Sequence, residues 1–204
     1  MVGSVFIDLS KAFDTIGHSN LLSKLRCYGV TGGEIQWFQD YLFNRFISLS
    51  WENELSNKEP LLCGVPQGSI LGPLLFLVYY NDFPDCIHYS NVIMFADDTA
   101  LWYSGNSCEE IEEKLNYDLK NIAKYFTEND LIINLKVGKT ESILFGTAKR
   151  LAQNKKELKL IYNHRKINST GSYKYLGSQV DQNLNLSANF NATYKKASAR
   201  TRLI

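Results

Sequence analysis

Three aspartates are the residues of this 204-residue chain best suited to chemistry. Asp97 and Asp98 are adjacent, in Phe95-Ala96-Asp97-Asp98, between the apolar runs Asn91-Val92-Ile93-Met94 and Thr99-Ala100-Leu101-Trp102-Tyr103. Asp8 ends an earlier apolar run, Gly3-Ser4-Val5-Phe6-Ile7. A bare Asp-Asp pair also fits a solvated turn, since aspartate is a favoured turn residue. If Asp8 and Asp97 meet in space, two or three carboxylates converge with no His or Cys nearby in sequence. That is hard-oxygen ligation, suited to Mg²⁺ rather than Zn²⁺. Two such ions ~3.5–4 Å apart activate an attacking oxygen and stabilise a leaving one in phosphoryl transfer. Without a cation, the same crowding raises the pKa of one or more carboxyls.

The elements that must position these groups read as follows. The two apolar runs around Asp97-Asp98 form a β-hairpin with the aspartates at its tip. Asp8 ends a buried strand that starts almost at residue 1, so the sequence is expected to begin inside a domain. Ser10 to Asp14 follows as a turn or short helix. Ser19 is placed as the N-cap of a helix with Leu21, Leu22 and Leu25 as its apolar stripe and Gly29 at its end. Thr31 and Glu34 have capping-box spacing ahead of a helix carrying Ile35, Trp37, Phe38, Tyr41 and Leu42. Residues 46–51 and 57–63 read as paired strands. Gly64-Val65-Pro66-Gln67-Gly68-Ser69 interrupts regular structure, and Pro73 opens a buried helix over about 72–82. Ser107 and Glu110 form a second capping box. Ile111, Leu115, Leu119, Ile122 and Phe126 predict a helix over about 107–127. Residues 131–135, 142–145 and 158–162 read as strands. Asn163-His164 turns towards Lys166-Ile167, Tyr173 to Gly177 enters another strand, and 188–203 is a basic helix. Strands and helices do not alternate regularly, so the fold class is α+β, with helices against an antiparallel sheet.

Composition narrows the classes. No apolar run reaches the ~18 residues that span a bilayer, and no basic stretch followed by an apolar segment opens the chain. Cys27, Cys63, Cys86 and Cys108 are widely spaced, which fits reduced, buried cysteines of an intracellular protein. Residues 1–135 carry a net charge of −10 and residues 136–204 one of +11. A basic third fits a solvated face or a polyanion contact, and the asymmetry favours the polyanion.

The motifs resemble a known family. Phe6-Ile7-Asp8-Leu9-Ser10-Lys11-Ala12-Phe13-Asp14, Gly64 to Ser69, and Phe95-Ala96-Asp97-Asp98 occur in the order and rough spacing of reverse-transcriptase palm motifs A, B and C. Leu135-Lys136-Val137-Gly138-Lys139-Thr140 resembles motif D, and Tyr175-Leu176-Gly177 resembles motif E, the primer grip. The wording is most similar to the enzymes of jockey-like, non-long-terminal-repeat retrotransposons of animals. Group II intron enzymes share the G-V-P-Q-G-S turn and are more distant. Five motifs in order, over residues 6–177, make the resemblance specific.

The resemblance implies a polymerase palm over residues 1–183, with partial fingers elements within about 40–63 and the start of a truncated thumb helix over 184–204. It implies an RNA-directed DNA polymerase, with RNA template, DNA primer and deoxynucleoside triphosphates as partners. Asp8 and Asp97 would be shared ligands of two Mg²⁺ ions (Mn²⁺ being the substitute). Asp98 would be a third carboxylate with a lesser metal role, and the Leu9 backbone carbonyl would look towards the nucleotide-bound metal. Phe13 matches the aromatic that sterically rejects a ribose 2′-hydroxyl. Gln67 and the Gly68 backbone would border the incoming nucleotide. Lys139 would protonate or neutralise the leaving pyrophosphate, and Leu176-Gly177 would turn against the primer backbone. The compartment would be the nucleus or the cytoplasm, with no membrane contact.

Plainer readings stand beside these. Alone, Phe13 reads as core, Gln67 as a turn residue and Lys139 as a solvated lysine. Asp14 reads as structural, and His18, His88 and His164 as non-catalytic. The chain starts at motif A, without the family's preceding fingers segments. The alternative function is therefore an incomplete, non-catalytic nucleic-acid-binding remnant of a retroelement, or an inert one. A two-metal nuclease would also cluster aspartates, but would have no need of the G-V-P-Q-G-S turn or of Phe13.

Overall fold

The strand that leads into Asp8 lies in the middle of a sheet, as its unbroken apolar run predicts. The computed structural model describes residues 1–153 and 157–201. In chain order the elements are β1 (Val2–Ile7), α1 (His18–Cys27), α2 (Gly32–Leu42), β2 (Phe46–Ile47), β3 (Ser50–Trp51), β4 (Glu54–Leu55), β5 (Glu59–Pro60) and α3 (Leu71–Tyr80). A 3₁₀ turn at Phe83–Cys86 leads to β6 (Asn91–Phe95), β7 (Asp98–Ser104), α4 (Cys108–Glu128), β8 (Glu141–Phe145) and α5 (Ala148–Gln153). Then come β9 (Ile161–Tyr162), β10 (Arg165–Lys166), β11 (Asn168–Ser169), β12 (Ser172–Tyr175), β13 (Ser178–Asp181) and α6 (Ser187–Thr201). Residues 202–203 of the expected basic helix lie outside the described residues. Among the described residues, no helix is long and apolar enough to cross a membrane.

The chain divides into two compact units. One holds Met1–Leu9, Asp85–Lys124 and the residues from Ile133 onward. Its five-stranded sheet has the order β11-β8-β1-β7-β6. β1 pairs antiparallel with both β7 and β8, and only β11 runs parallel to its neighbour. Side chains alternate across the sheet, and each face has its own cover. On one face, a Cβ at Gly3 would collide with Ile111 and stand 3.0 Å from Leu115 Cδ1, so only glycine lets α4 lie this close to β1. Ile111, Leu115, Leu119 and Ile122 of α4 are fully buried at helical spacing. On the other face, Phe6, Ala100 and Ile143 form a cluster against Phe145, Tyr173 and Tyr175. The Phe6 ring stacks on Tyr173 at 4.5 Å, an arrangement worth ~0.5–1.5 kcal/mol beyond the area it buries.

α4 starts as its sequence predicts. Ser107 Oγ accepts the Glu110 N–H at 3.1 Å. Glu110 reaches back to the Asn106 N–H at 2.9 Å.

The second unit holds Ser10–Pro84 and Tyr125–Ile132. Its core is aromatic: Phe83 stacks on Tyr80 at 4.8 Å and on Phe126 at 5.6 Å. Lys24 Nζ crosses from α1 to donate to the Tyr79 carbonyl at 2.6 Å and to Asp82 at 2.7 Å.

Several local expectations are corrected. α1 starts at His18 with Gly17 as its N-cap, so Ser19 lies inside the helix. Thr31 is the N-cap of α2 but makes no side-chain capping bond. Residues 46–63 pair only in two-residue pieces, β2 with β5 and β3 with β4, and these strand residues are exposed. Residues 131–135 make a single isolated bridge, Leu9 to Ile133, instead of a strand. Its bonds run from the Ser10 N–H to Ile132 and from the Asn134 N–H to Asp8. The four cysteines are free, yet only Cys108 is buried, and Cys27 and Cys63 are exposed.

Candidate functional site

The register of β1 on β7 brings two of the aspartates to one end of the sheet. Ile7 pairs with Thr99, the last pair of that ladder. Asp8 and Asp98 are the next residues on each strand. Phe6 pairs with Ala100, so by two-residue alternation Asp8 and Asp98 lie on the face of Tyr173 and Tyr175. Phe95 pairs with Asp98, leaving Ala96-Asp97 as a two-residue loop. The positive φ that such a loop needs falls on Ala96, at 53°, and not on an aspartate. A non-glycine residue held there costs about 1–3 kcal/mol.

Electrostatics show the same convergence. The Asp98 carboxyl is raised above its ordinary value of 3.8, first by burial and then by the negative charges of Asp97 and Asp8, with Lys139 opposing. A carboxyl so raised binds its proton more tightly in the folded than in the unfolded chain. Folding is therefore favoured at low pH and loses that contribution as pH rises through the carboxylate range. Asp98→Asn is expected to raise Tm in metal-free buffer at pH 7, by no more than about 1 °C because Asp98 is exposed and its repulsions are screened by solvent. The gap should close below pH ~4, which a pH series of thermal melts reads directly.

Asp8 is held by a residue cluster from beyond α4. Asn134 Nδ2 donates to Asp8 Oδ2 at 3.0 Å, and the Asn134 N–H donates to the Asp8 carbonyl at 2.8 Å. Lys139 Nζ lies 3.4 Å from Asp8 Oδ1. The Asp8 N–H donates to Thr140 Oγ1 at 3.1 Å. Tyr173 donates its hydroxyl to the Lys139 carbonyl at 2.7 Å. Burial, and then the charges of Asp8, Asp98 and Glu141, push the Tyr173 hydroxyl up to about 12, so it stays a donor at neutral pH. The Leu9 carbonyl stays outside the bridge that fixes its neighbours.

Among the described residues, no three acidic, His or Cys side chains already form a group that could hold a metal ion. The donor chemistry nevertheless fits Mg²⁺. That ion takes one or two carboxylates and completes its shell with water and substrate phosphate oxygens, without a closed protein cage. Its charge would relieve the repulsion that raises Asp98.

The second unit gathers the other predicted residues around the glycine-rich turn. The Gly64 N–H donates to Ile16 and the Val65 N–H to Phe13. Gly64 has φ +83°, and a Cβ there would stand 2.8–3.0 Å from the Asp14 backbone, so both conformation and space demand glycine. Gln67 Nε2 donates to Asp14 Oδ1 at 2.7 Å. Asp14 is thus structural, but as the group that orients Gln67. Gly68 is exposed, with φ +80°. Ser69 Oγ accepts the Gly72 N–H at 3.0 Å and thereby starts α3. Phe13 is half-buried, its ring 4.8 Å from Phe76.

Leu176 and Gly177, at φ 45° and 84°, form the turn between β12 and β13. Positive φ at both centres is the hairpin turn that matches strand twist. Asp8, Asp97, Asp98 and Lys139 are thus neighbours in one unit, while Phe13, Gln67 and Gly68 belong to the other. Asn134 and Tyr173 escaped the sequence reading. The one signal for Asn134 was a polar residue inside the apolar run Leu131-Ile132-Ile133-Asn134-Leu135.

Comparisons with known proteins show the family. The family model described as reverse transcriptase (RNA-dependent DNA polymerase) matches residues 3–180. The probable RNA-directed DNA polymerase from transposon BS of Drosophila melanogaster is 31% identical, over 97% of this chain and 22% of its own length. The RNA-directed DNA polymerase from mobile element jockey of Drosophila funebris is 26% identical, over 89% of this chain and 20% of its own length. The chain thus spans about a fifth of these relatives. Among solved structures, telomerase from Candida albicans in complex with a fragment of telomeric RNA superposes with TM-score 0.58 at 12% identity, covering 91% of this chain and 31% of that one. Apo telomerase from Candida tropicalis gives 0.58 at 10%, covering 91% and 32%. At such identities the likeness is one of fold.

Proposed function

Because this chain belongs to the reverse transcriptase (RNA-dependent DNA polymerase) family, we propose that it is the core of an RNA-directed DNA polymerase acting in retrotransposition. The observation that carries this reading is the convergence of Asp8, Asp97 and Asp98 at one sheet end with Lys139 beside them. Asp8 and Asp97 would hold two Mg²⁺ ions, with Asp98 in a lesser role and the Leu9 carbonyl facing the nucleotide-bound ion. Mn²⁺ would substitute. Bound there, the metal supplies Lewis-acid activation of the primer 3′-hydroxyl and neutralises charge on the departing pyrophosphate.

The chain's own groups do the rest. Lys139 has its ammonium beside Asp8 and, half exposed, can donate a proton to, or neutralise, pyrophosphate. Gln67, oriented by Asp14, and the Gly68 backbone would border the nucleotide. Leu176-Gly177 would meet the primer backbone. The basic region from residue 136 would lie along template and primer phosphates, making binding salt-sensitive. Residues 1–183 would be palm, with partial fingers within about 40–63, and 184–204 the start of a thumb. The protein would work in the nucleus or cytoplasm.

Phe13, braced by Phe76, would exclude a 2′-hydroxyl by steric clash. Phe13→Val is expected to raise incorporation of ribonucleotides relative to deoxyribonucleotides on the order of 10²-fold, read by single-nucleotide extension. The general test is extension of a DNA primer on an RNA template with Mg²⁺. Template-directed incorporation supports the proposal. Salt-sensitive binding with no incorporation points instead to a non-catalytic nucleic-acid-binding remnant.

A further inference from the structure

Asn134 makes four hydrogen bonds that together leave its side chain one orientation. Its backbone N–H donates to the Asp8 carbonyl at 2.8 Å, and its own carbonyl accepts the Thr140 N–H at 3.0 Å. Its Oδ1 accepts the Lys136 N–H at 3.3 Å. An amide has one acceptor end and one donor end. With Oδ1 taken by Lys136, Nδ2 must face Asp8, and it donates to Oδ2 at 3.0 Å. That bond occupies one oxygen of the Asp8 carboxylate. The other, Oδ1, has only the long contact with the half-exposed Lys139 ammonium, at 3.4 Å, which a divalent cation would displace.

We infer that Asn134 is a positioning residue for Asp8: it locks the carboxylate plane and presents Oδ1 to a divalent cation. The inference rests on the reading of Asp8 as a metal ligand. Outer hydrogen bonds of this kind hold a ligating oxygen in place before the ion arrives, and their loss typically lowers metal affinity 10- to 100-fold. The same residue ties Asp8 to the turn that carries Lys139, so the lysine and the carboxylate are placed by one side chain.

Mn²⁺ binding to the full chain, read by the electron paramagnetic resonance signal of free Mn²⁺, tests this. Asn134→Ala is expected to weaken binding about 10-fold while leaving the thermal melt near that of the parent. Asn134→Ser is the discriminating variant. Its hydroxyl can still accept the Lys136 N–H in a short local turn, but it is too short to reach Asp8. Weak binding by the serine variant supports a positioning role. Parental binding by either variant, or failure of both to fold, makes Asn134 merely structural and overturns the inference. Asp8→Asn is run alongside. If the parent binds Mn²⁺ and Asp8→Asn does not, while both Asn134 variants bind as the parent does, the Asn134 inference alone fails. If Asp8→Asn binds like the parent, or the parent does not bind, the Asp8 assignment fails first.

Discussion

Asp97→Asn is expected to abolish template-directed extension, lowering incorporation on the order of 10³-fold or more, equivalent to about 4 kcal/mol of transition-state stabilisation. The substitution keeps the size of the side chain and the turn preference of the residue. It removes one charge at the loop between β6 and β7. The two-residue loop gives Asp97 no strand partner, so no ladder bond depends on it and the variant should fold, with its metal-free melt at or slightly above the parent's because one repulsion with Asp98 is gone. Asp98→Asn should cost extension less, since the family resemblance gives Asp98 the lesser metal role and Asp97 the shared one. Side-by-side primer extension and melting curves for both variants check the contrast. Undiminished extension by Asp97→Asn would remove Asp97 from the catalytic centre.

Asp118→Ala is expected to produce the largest loss of stability, about 3–5 kcal/mol in urea denaturation. Asp118 on α4 is fully buried. Its carboxylate accepts the N–H of His88 at 2.9 Å, of Tyr89 at 3.1 Å and of Ser90 at 2.7 Å. Those three residues lead directly into β6, the edge strand that ends at the Ala96-Asp97 loop. Alanine would leave three backbone donors without their acceptor. Asp118→Asn keeps one acceptor oxygen but aims its own N–H₂ at donors, so it should fall between alanine and the parent. If the alanine variant unfolds at the parental midpoint, the loop is held by other contacts.

Much of the centre was legible because the relevant signals are local. The hairpin around Asp97 shows in two apolar runs with a short polar gap, and α4 in apolar residues at helical spacing behind a capping serine. The glycine turn at Gly64 shows as a break in periodicity, and its two constraints, positive φ and the nearby Asp14 backbone, both select one residue type. Other local signals were outcompeted. Thr31 and Glu34 have capping-box spacing, yet no capping bond forms. Ser19 lost its cap position because α1 begins one residue earlier, at His18, with Gly17 as its N-cap and the Leu21 N–H on the Gly17 carbonyl. Residues 131–135 have strand composition, but their only bridge is to Leu9.

The sequence alone determined the family, the order of the motifs and the identity of the acidic residues. Those depend on residue types at short spacings, which backbone geometry reads locally. Only the tertiary structure decided what surrounds them. Asn134 lies 126 residues from Asp8, and Lys139 lies 131 away. Their meeting depends on β8 pairing with β1 and on the chain between them folding back as α4. No local propensity encodes such a contact, because its loop-closure entropy is offset only when the whole sheet and its helix bury their apolar faces together.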